Sequence, residues 1–341
     1  MDFSPEKKRV MTDKGDIYYF AAGPEGSNQT VILLHGLSSN HTTWLTLMEK
    51  LAAQGIRSIA PDLRGHGFSD KSKRKEWYTL PVFAEDVHLI AKQERLQEFD
   101  MVGYSFGGYV SLAYAAANPG MLRRLALVST NFMNPLHYQT LSPAAPILAK
   151  FFDGLAWFSY PQRRTHYHYF EQGKSTGYFE STFTGLFTMP LSVNFWTLAQ
   201  TLRLDLSESL PLIACPTLIV RSMTDPYLTE QEVADMSRKI KNAHAVTIAG
   251  DGHFLASRNQ DDLAGKLLPF LMNDHHEISS PKTSPHSQKS SFLANANMAK
   301  NIEPGRQRKI GKTRTPKKSS TTSSAMRRRT KPRTSSRSAM K

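Results

Sequence analysis

The chain has 341 residues, 40% of them apolar, which is enough for a sizeable core, and a formal net charge of +14. That charge is uneven: residues 275–341 hold 17 lysines and arginines against Glu277 and Glu303, a net of +15, so residues 1–274 carry about −1. The single cysteine, Cys215, excludes an intramolecular disulfide framework, and no apolar run approaches the ~18 residues of a membrane span. The start, Met1 to Lys8, is polar and lacks the apolar core of a signal peptide, which points to a cytoplasmic location.

In chain order, Arg9 to Ala22 predicts an edge hairpin turning at Asp13-Lys14-Gly15-Asp16. Thr30 to Leu34 is a continuous apolar strand of the kind buried on both faces of a parallel sheet, and it ends at His35-Gly36-Leu37. A helix over 42–54 and a strand over 56–62 follow, then the turn Asp62-Leu63-Arg64-Gly65-His66-Gly67-Phe68-Ser69. A helix over 81–93 with Val82, Phe83, Val87 and Ile90 on one face leads into the short buried strand Phe99 to Val102. Next comes Gly103-Tyr104-Ser105-Phe106-Gly107, a GxSxG, and an alanine-rich helix over 109–118 stopped at Pro119. The strand Leu122 to Ser129 is succeeded by residues 131–209, helical and without strand alternation. Fourteen of the chain's 34 aromatic residues fall between 151 and 200, among them Phe151, Phe152, Trp157, Phe158, Tyr160, Tyr167, Tyr169, Phe170, Phe195 and Trp196. His137, His166 and His168 lie in this stretch with no metal-ligand spacing. Strands resume at Pro216 to Val220, running out into Arg221 to Pro226, where Asp225 is the only carboxylate. Thr229 with Glu232 three residues on has the pattern of a capping box for a helix over 229–240. The last strand, Ala245 to Ile248, leads to Asp251-Gly252-His253-Phe254, and a helix over 259–272 closes the domain. Cys215, in an apolar run, reads as a buried inert thiol.

A serine between glycines, after a strand and before a helix, fits a sharp turn that leaves its hydroxyl exposed, with the N–H of Phe106 free near a helix N-terminus. Taken alone, a GxSxG is also an ordinary glycine-rich turn. With its flanking strand and helix it resembles the nucleophile elbow of the alpha/beta-hydrolases, and further segments resemble that family: the His35-Gly36 loop, the DxRGxGxS of Asp62 to Ser69, and the chain order Ser105, Asp225, His253. The resemblance implies an α/β fold, a mostly parallel central sheet flanked by helices over residues 1–274, with a helical lid inserted at about 131–209. It implies Ser105 as nucleophile, His253 as base, Asp225 as the acid, and the N–H groups of Leu37 and Phe106 as an oxyanion hole. A glycine usual three residues before the acid is Ser222 here, a mild departure, and Asp251 is a rival acid placed close to the base along the chain. His35, Asp62, Arg64 and His66 read as loop braces. Most lid aromatics would pack on one another, and a few would line a pocket for an apolar acyl or ring-bearing substrate.

A serine at the elbow argues against haloalkane dehalogenases and epoxide hydrolases, which use an aspartate there. Carboxylesterase or lipase, enol-lactonase, carbon–carbon hydrolase, perhydrolase and acyltransferase activities stay open. No Walker loop, HExxH or paired Cys/His cluster suggests a phosphate, metal or cofactor mechanism. Residues 275–341, rich in Ser, Thr, Lys, Arg and Pro, predict a disordered basic tail. Its clusters, such as Arg327-Arg328-Arg329-Thr330-Lys331-Pro332-Arg333, are suited to weak, salt-sensitive binding of nucleic acid or another polyanion, with the hydrolase fold as scaffold in that alternative. A solvated tail without a dedicated partner is the other reading.

Overall fold

A computed structural model describes residues 3–137, 139, 142–159, 189–250 and 252–272. These belong to the first of two compact units, Met1–His275; the second, His276–Lys341, is outside the described residues. The basic tail, Asp251, and Tyr160, His166, Tyr167, His168, Tyr169 and Phe170 of the aromatic stretch are therefore also outside them.

Eight strands form one sheet: β1 Glu6–Thr12, β2 Gly15–Ala22, β3 Thr30–Leu34, β4 Arg57–Pro61, β5 Phe99–Tyr104, β6 Leu122–Val128, β7 Thr217–Ser222 and β8 Ala243–Ile248. Their order is β1-β2-β4-β3-β5-β6-β7-β8. β1 pairs with β2, and β2 with β4, antiparallel; every pairing from β4 to β8 is parallel. The apolar runs of β3, β5 and β7 are buried along their whole length, as strands covered on both faces must be.

Among the described residues the α-helices are α1 Leu45–Ala53, α2 Leu80–Gln93, α3 Phe106–Ala117, α4 Ala145–Phe158, α5 Leu191–Thr201, α6 Glu230–Lys239, α7 Leu255–Arg258 and α8 Gln260–Met272. They enclose two apolar layers. One contains Ile32, Leu34, Phe83, Val110 and Leu127; the other contains Val31, Leu33, Met48, Val102, Val128 and Leu267. The alternation of β3 between Ile32 or Leu34 and Val31 or Leu33 shows the two faces of one strand feeding the two layers. Among the described residues, no helix is long and apolar enough to cross a membrane.

Several boundaries depart from the sequence expectation: β1 opens at Glu6 rather than Arg9, β5 runs on to Tyr104, and β8 opens at Ala243 rather than Ala245. The helix after the elbow opens at Phe106, not Tyr109, because Gly107 and Gly108 are recruited into it despite their poor helix propensity. Residues 41–44 form a 3-10 turn capped by Asn40, whose side chain accepts from Thr42 N–H, before α1 proper begins. The Thr229 capping box is present, with Thr229 and Glu232 each bonding the other's backbone N–H.

Between β6 and β7 the chain leaves the sheet to build α4 and α5. Phe152 stacks on Phe195 at 5.7 Å between ring centroids, and Trp196 stacks on Tyr78 at 6.0 Å. The expectation of aromatic packing within the insertion holds for Phe152 and Phe195, while Trp196 turns to Tyr78 outside it. Phe151 meets Phe152 edge-on at 5.7 Å and Trp157 meets Phe158 at 5.0 Å, although Phe151, Trp157 and Phe158 are 57%, 73% and 80% exposed along α4.

Candidate active site

Ser105 sits between the last residue of β5 and the first of α3, with φ 50° and ψ −114°. A non-glycine residue in that region is strained by about 1–3 kcal/mol and persists only where its surroundings hold it. They do so by close approach. A Cβ on Gly107 would collide with the Leu34 and His35 carbonyl groups, and one on Gly103 with the Ser111 hydroxyl. The two glycines therefore let the start of α3 press against β3 and β5, and the turn between them projects the serine.

The Ser105 Oγ lies 2.7 Å from His253 Nε2. The other ring nitrogen, Nδ1, lies 3.1 and 3.2 Å from the two carboxylate oxygens of Asp225. An ionised carboxylate can only accept, so Nδ1 carries the proton and Nε2 is left to accept from the serine hydroxyl. Burial opposes ionisation of Asp225, but the hydrogen bond and charge of His253, with the Tyr227 N–H at 2.9 Å, outweigh it and hold the carboxyl below its ordinary range. The three residues follow β5, β7 and β8, all at the carboxyl end of the sheet. The structure thus brings together the three side chains singled out in the sequence.

Leu37 and Phe106, the expected oxyanion donors, are the residues that follow Gly36 and Ser105. Phe106 opens α3, so its N–H precedes the helical hydrogen-bond ladder. Neither N–H has an acceptor among the described residues. A Cβ built on Gly36 would stand 3.2 Å from the Tyr104 ring and 3.4 Å from Ser105 Cβ, so the His35-Gly36-Leu37 loop runs directly alongside the serine.

The residues read as braces do bracing work. His35 Nδ1 donates to the Gly36 carbonyl, and its Nε2 accepts from Leu63 N–H at 3.0 Å. Asp62 accepts from the His41 N–H and ring and from Phe68 N–H. Arg64 grips Asp86 through two nitrogens. Burial pushes the imidazoles of His35 and His66 down to about 4 and about 3, so both stay neutral near pH 7. Cys215 is half-buried, not fully enclosed, and burial pushes its thiol up to about 11, so it remains protonated and unreactive.

Two contacts on His253 carry no sequence signal beyond their place beside the motif residues. The Tyr104 hydroxyl donates to the His253 carbonyl at 2.7 Å, and the Tyr227 ring meets the imidazole edge-on at 5.1 Å. A separate polar cavity of about 780 Å³ opens near Thr30 and Arg57, at the amino ends of β3 and β4. It contains none of these residues, and several of its charges pair across it, Arg57 with Glu94 at 2.6 Å and Lys8 with Glu94 at 3.5 Å. Ser105, Asp225 and His253 lie at the other end of the sheet.

The fold agrees with what the comparisons find. A sequence model of the alpha/beta hydrolase fold matches residues 29–258, well over half of the chain, and the chain belongs to that family. An uncharacterised Mycobacterium tuberculosis protein is 38% identical over 128 residues, 38% of this chain and 36% of that protein, so the chain matches only about a third of that relative's length. Mouse epoxide hydrolase 4 is 24% identical over 284 residues, covering 77% of this chain and 78% of that one. Among solved structures, an esterase from Exiguobacterium antarcticum superposes with a TM-score of 0.62 at 19% identity, covering 79% of this chain and all of the other, a likeness of fold.

Proposed function

We propose that the protein is a serine hydrolase that cleaves an ester, lactone or similar acyl bond of a small to medium apolar substrate through an acyl-enzyme. One observation carries this reading: the continuous chain from Ser105 Oγ through both nitrogens of His253 to the Asp225 carboxylate. As Oγ attacks the carbonyl carbon, its proton passes to His253 Nε2, and Asp225 stabilises the imidazolium. The carbonyl oxygen becomes an oxyanion held by the Leu37 and Phe106 N–H groups, each worth roughly 10²–10³ in rate. Collapse expels the alcohol, which takes the proton from Nε2, and a water activated by the same base releases the acid.

Some relatives are named epoxide hydrolases. The elbow here carries a serine, whose hydroxyl with a paired imidazole suits acyl transfer, and acyl transfer is the reading kept. The aromatic side chains of α4 and α5 support an apolar acyl group as the substrate class.

Labelling with a fluorophosphonate probe tests the site, and a series of p-nitrophenyl esters of rising chain length tests the substrate class. Stoichiometric labelling is expected in the wild type and none in Ser105→Ala; Asp225→Asn should keep the fold and lose about 10³–10⁴ in kcat. A wild-type protein that neither labels nor hydrolyses any ester of the series would sink the reading.

A further inference from the structure

Ser38 follows the expected oxyanion donor Leu37 and holds φ at 60°, a left-handed conformation that a serine keeps only when its neighbours impose it. Its hydroxyl oxygen accepts a hydrogen bond from Asn194 Nδ2 at 2.7 Å and donates towards Met189 Sδ at 3.7 Å. Both partners belong to the insertion between β6 and β7. Asn194 is in the first turn of α5 and 3% exposed, and Met189 is fully buried just ahead of it. On the other side of Leu37, Gly36 lies against the Tyr104 ring and Ser105. Leu37 is therefore held from two directions, by the elbow through Gly36 and by the inserted helix through Ser38.

We propose that Asn194 is a positioning residue for the oxyanion pocket, its side-chain amide holding Ser38 in the left-handed conformation that places the Leu37 N–H. The proposal rests on the serine-hydrolase reading given above. A buried amide suits the task because it supplies a directed donor, while the serine proton stays available to the Met189 sulfur. Without that donor the strained residue is free to relax, and Leu37, one peptide away, moves with it. A displacement of about 1 Å at a catalytic group is enough to cost on the order of 10²-fold in rate. The seating of α5 against the loop and the completeness of the oxyanion pocket become one event.

The test compares the full-length wild type with Asn194→Ala, Ser38→Ala and the double variant. kcat and KM on p-nitrophenyl butyrate are normalised to sites titrated by fluorophosphonate, alongside the affinity for a trifluoromethyl ketone, which forms an oxyanion on the serine. Asn194→Ala is expected to lower kcat per titrated site by about 10- to 100-fold, leave KM within about threefold, and weaken the ketone by a similar factor. The double variant should be no worse than either single one, because both remove the same bond. A purely packing role would lower the number of titratable sites and leave kcat per site and ketone affinity intact. That outcome, or additive losses in the double variant, overturns the proposal while the hydrolase reading stands. Should Asn194→Ala fail to fold, Ser38→Ala alone decides by the same kcat and ketone criteria. A wild type that neither labels nor turns over ester removes the hydrolase reading and this proposal with it.

Discussion

Tyr104, the residue before the expected nucleophile, is the point where three parts of the site meet. Its ring lies under Gly36, its hydroxyl donates to the His253 carbonyl at 2.7 Å, and its backbone ends β5. Tyr104→Phe keeps the ring and removes only the bond to the base. The expected outcome is a fall in kcat of about 3- to 30-fold with KM nearly unchanged, and a stability loss of about 1 kcal/mol by chemical denaturation; unchanged kcat would show that the His253 loop needs no such tether. This contact also marks the limit of what the sequence discloses. Ser105, Asp225 and His253 could be found because each is a distinctive residue type just past a strand, in an order that fits one family. Tyr104, Ser38 and Asn194 could not, because a hydroxyl or an amide that braces a loop has no required spacing, and its partner lies 149 or 156 residues away along the chain.

Elements were legible where local signals agree with tertiary demands. β3 declares itself by an unbroken apolar run, and its range is the predicted one. The helix beginning at Glu230 is announced by Thr229 and Glu232, and both reciprocal bonds of the capping box are formed. Replacing Thr229 with alanine removes one of them and should cost about 1 kcal/mol, measured by urea unfolding monitored by circular dichroism. A cost near zero would mean that Glu232, which also bonds the Asn131 amide, secures the helix start unaided. The beginning of α3 was illegible for the opposite reason. Phe106-Gly107-Gly108 reads as a turn by propensity, and the contact that makes glycine necessary, with the carbonyl groups of Leu34 and His35, is long-range.

At the scale of the whole molecule, the two buried neutral imidazoles of His35 and His66 make stability depend on pH. Burial lowers His35 to about 4 and His66 to about 3, against about 6.5 in an unfolded chain. The unfolded state then binds more protons throughout this window. The contribution of both residues is complete above pH ~6.5 and is progressively lost as pH falls through 4 towards 3. Asp86 acts in the opposite sense: burial pushes its carboxyl up to about 6 against the hydrogen bonds of Arg64, so its protonation offsets part of the loss. The urea midpoint is expected to drop between pH 6.5 and 4.5, by the equivalent of about 1–3 kcal/mol. His66→Asn should flatten the slope, because an amide can still donate to the Arg64 carbonyl, as Nδ1 does at 3.0 Å, and takes up no proton. A wild-type midpoint that is flat over that range would refute the assignment.

The proposed base hangs from β8, which pairs with β7 on one side, ends the sheet, and shows solvent much of its length. Native proteins open piecemeal, and an edge element with a half-wet face opens at a smaller free-energy cost than the interior strand β5 that carries the serine. Excursions of that edge would separate His253 from Ser105 while the rest of the sheet stays assembled. The molecule can thus be folded and idle, with the proposed base resting on the pairing of a single edge strand.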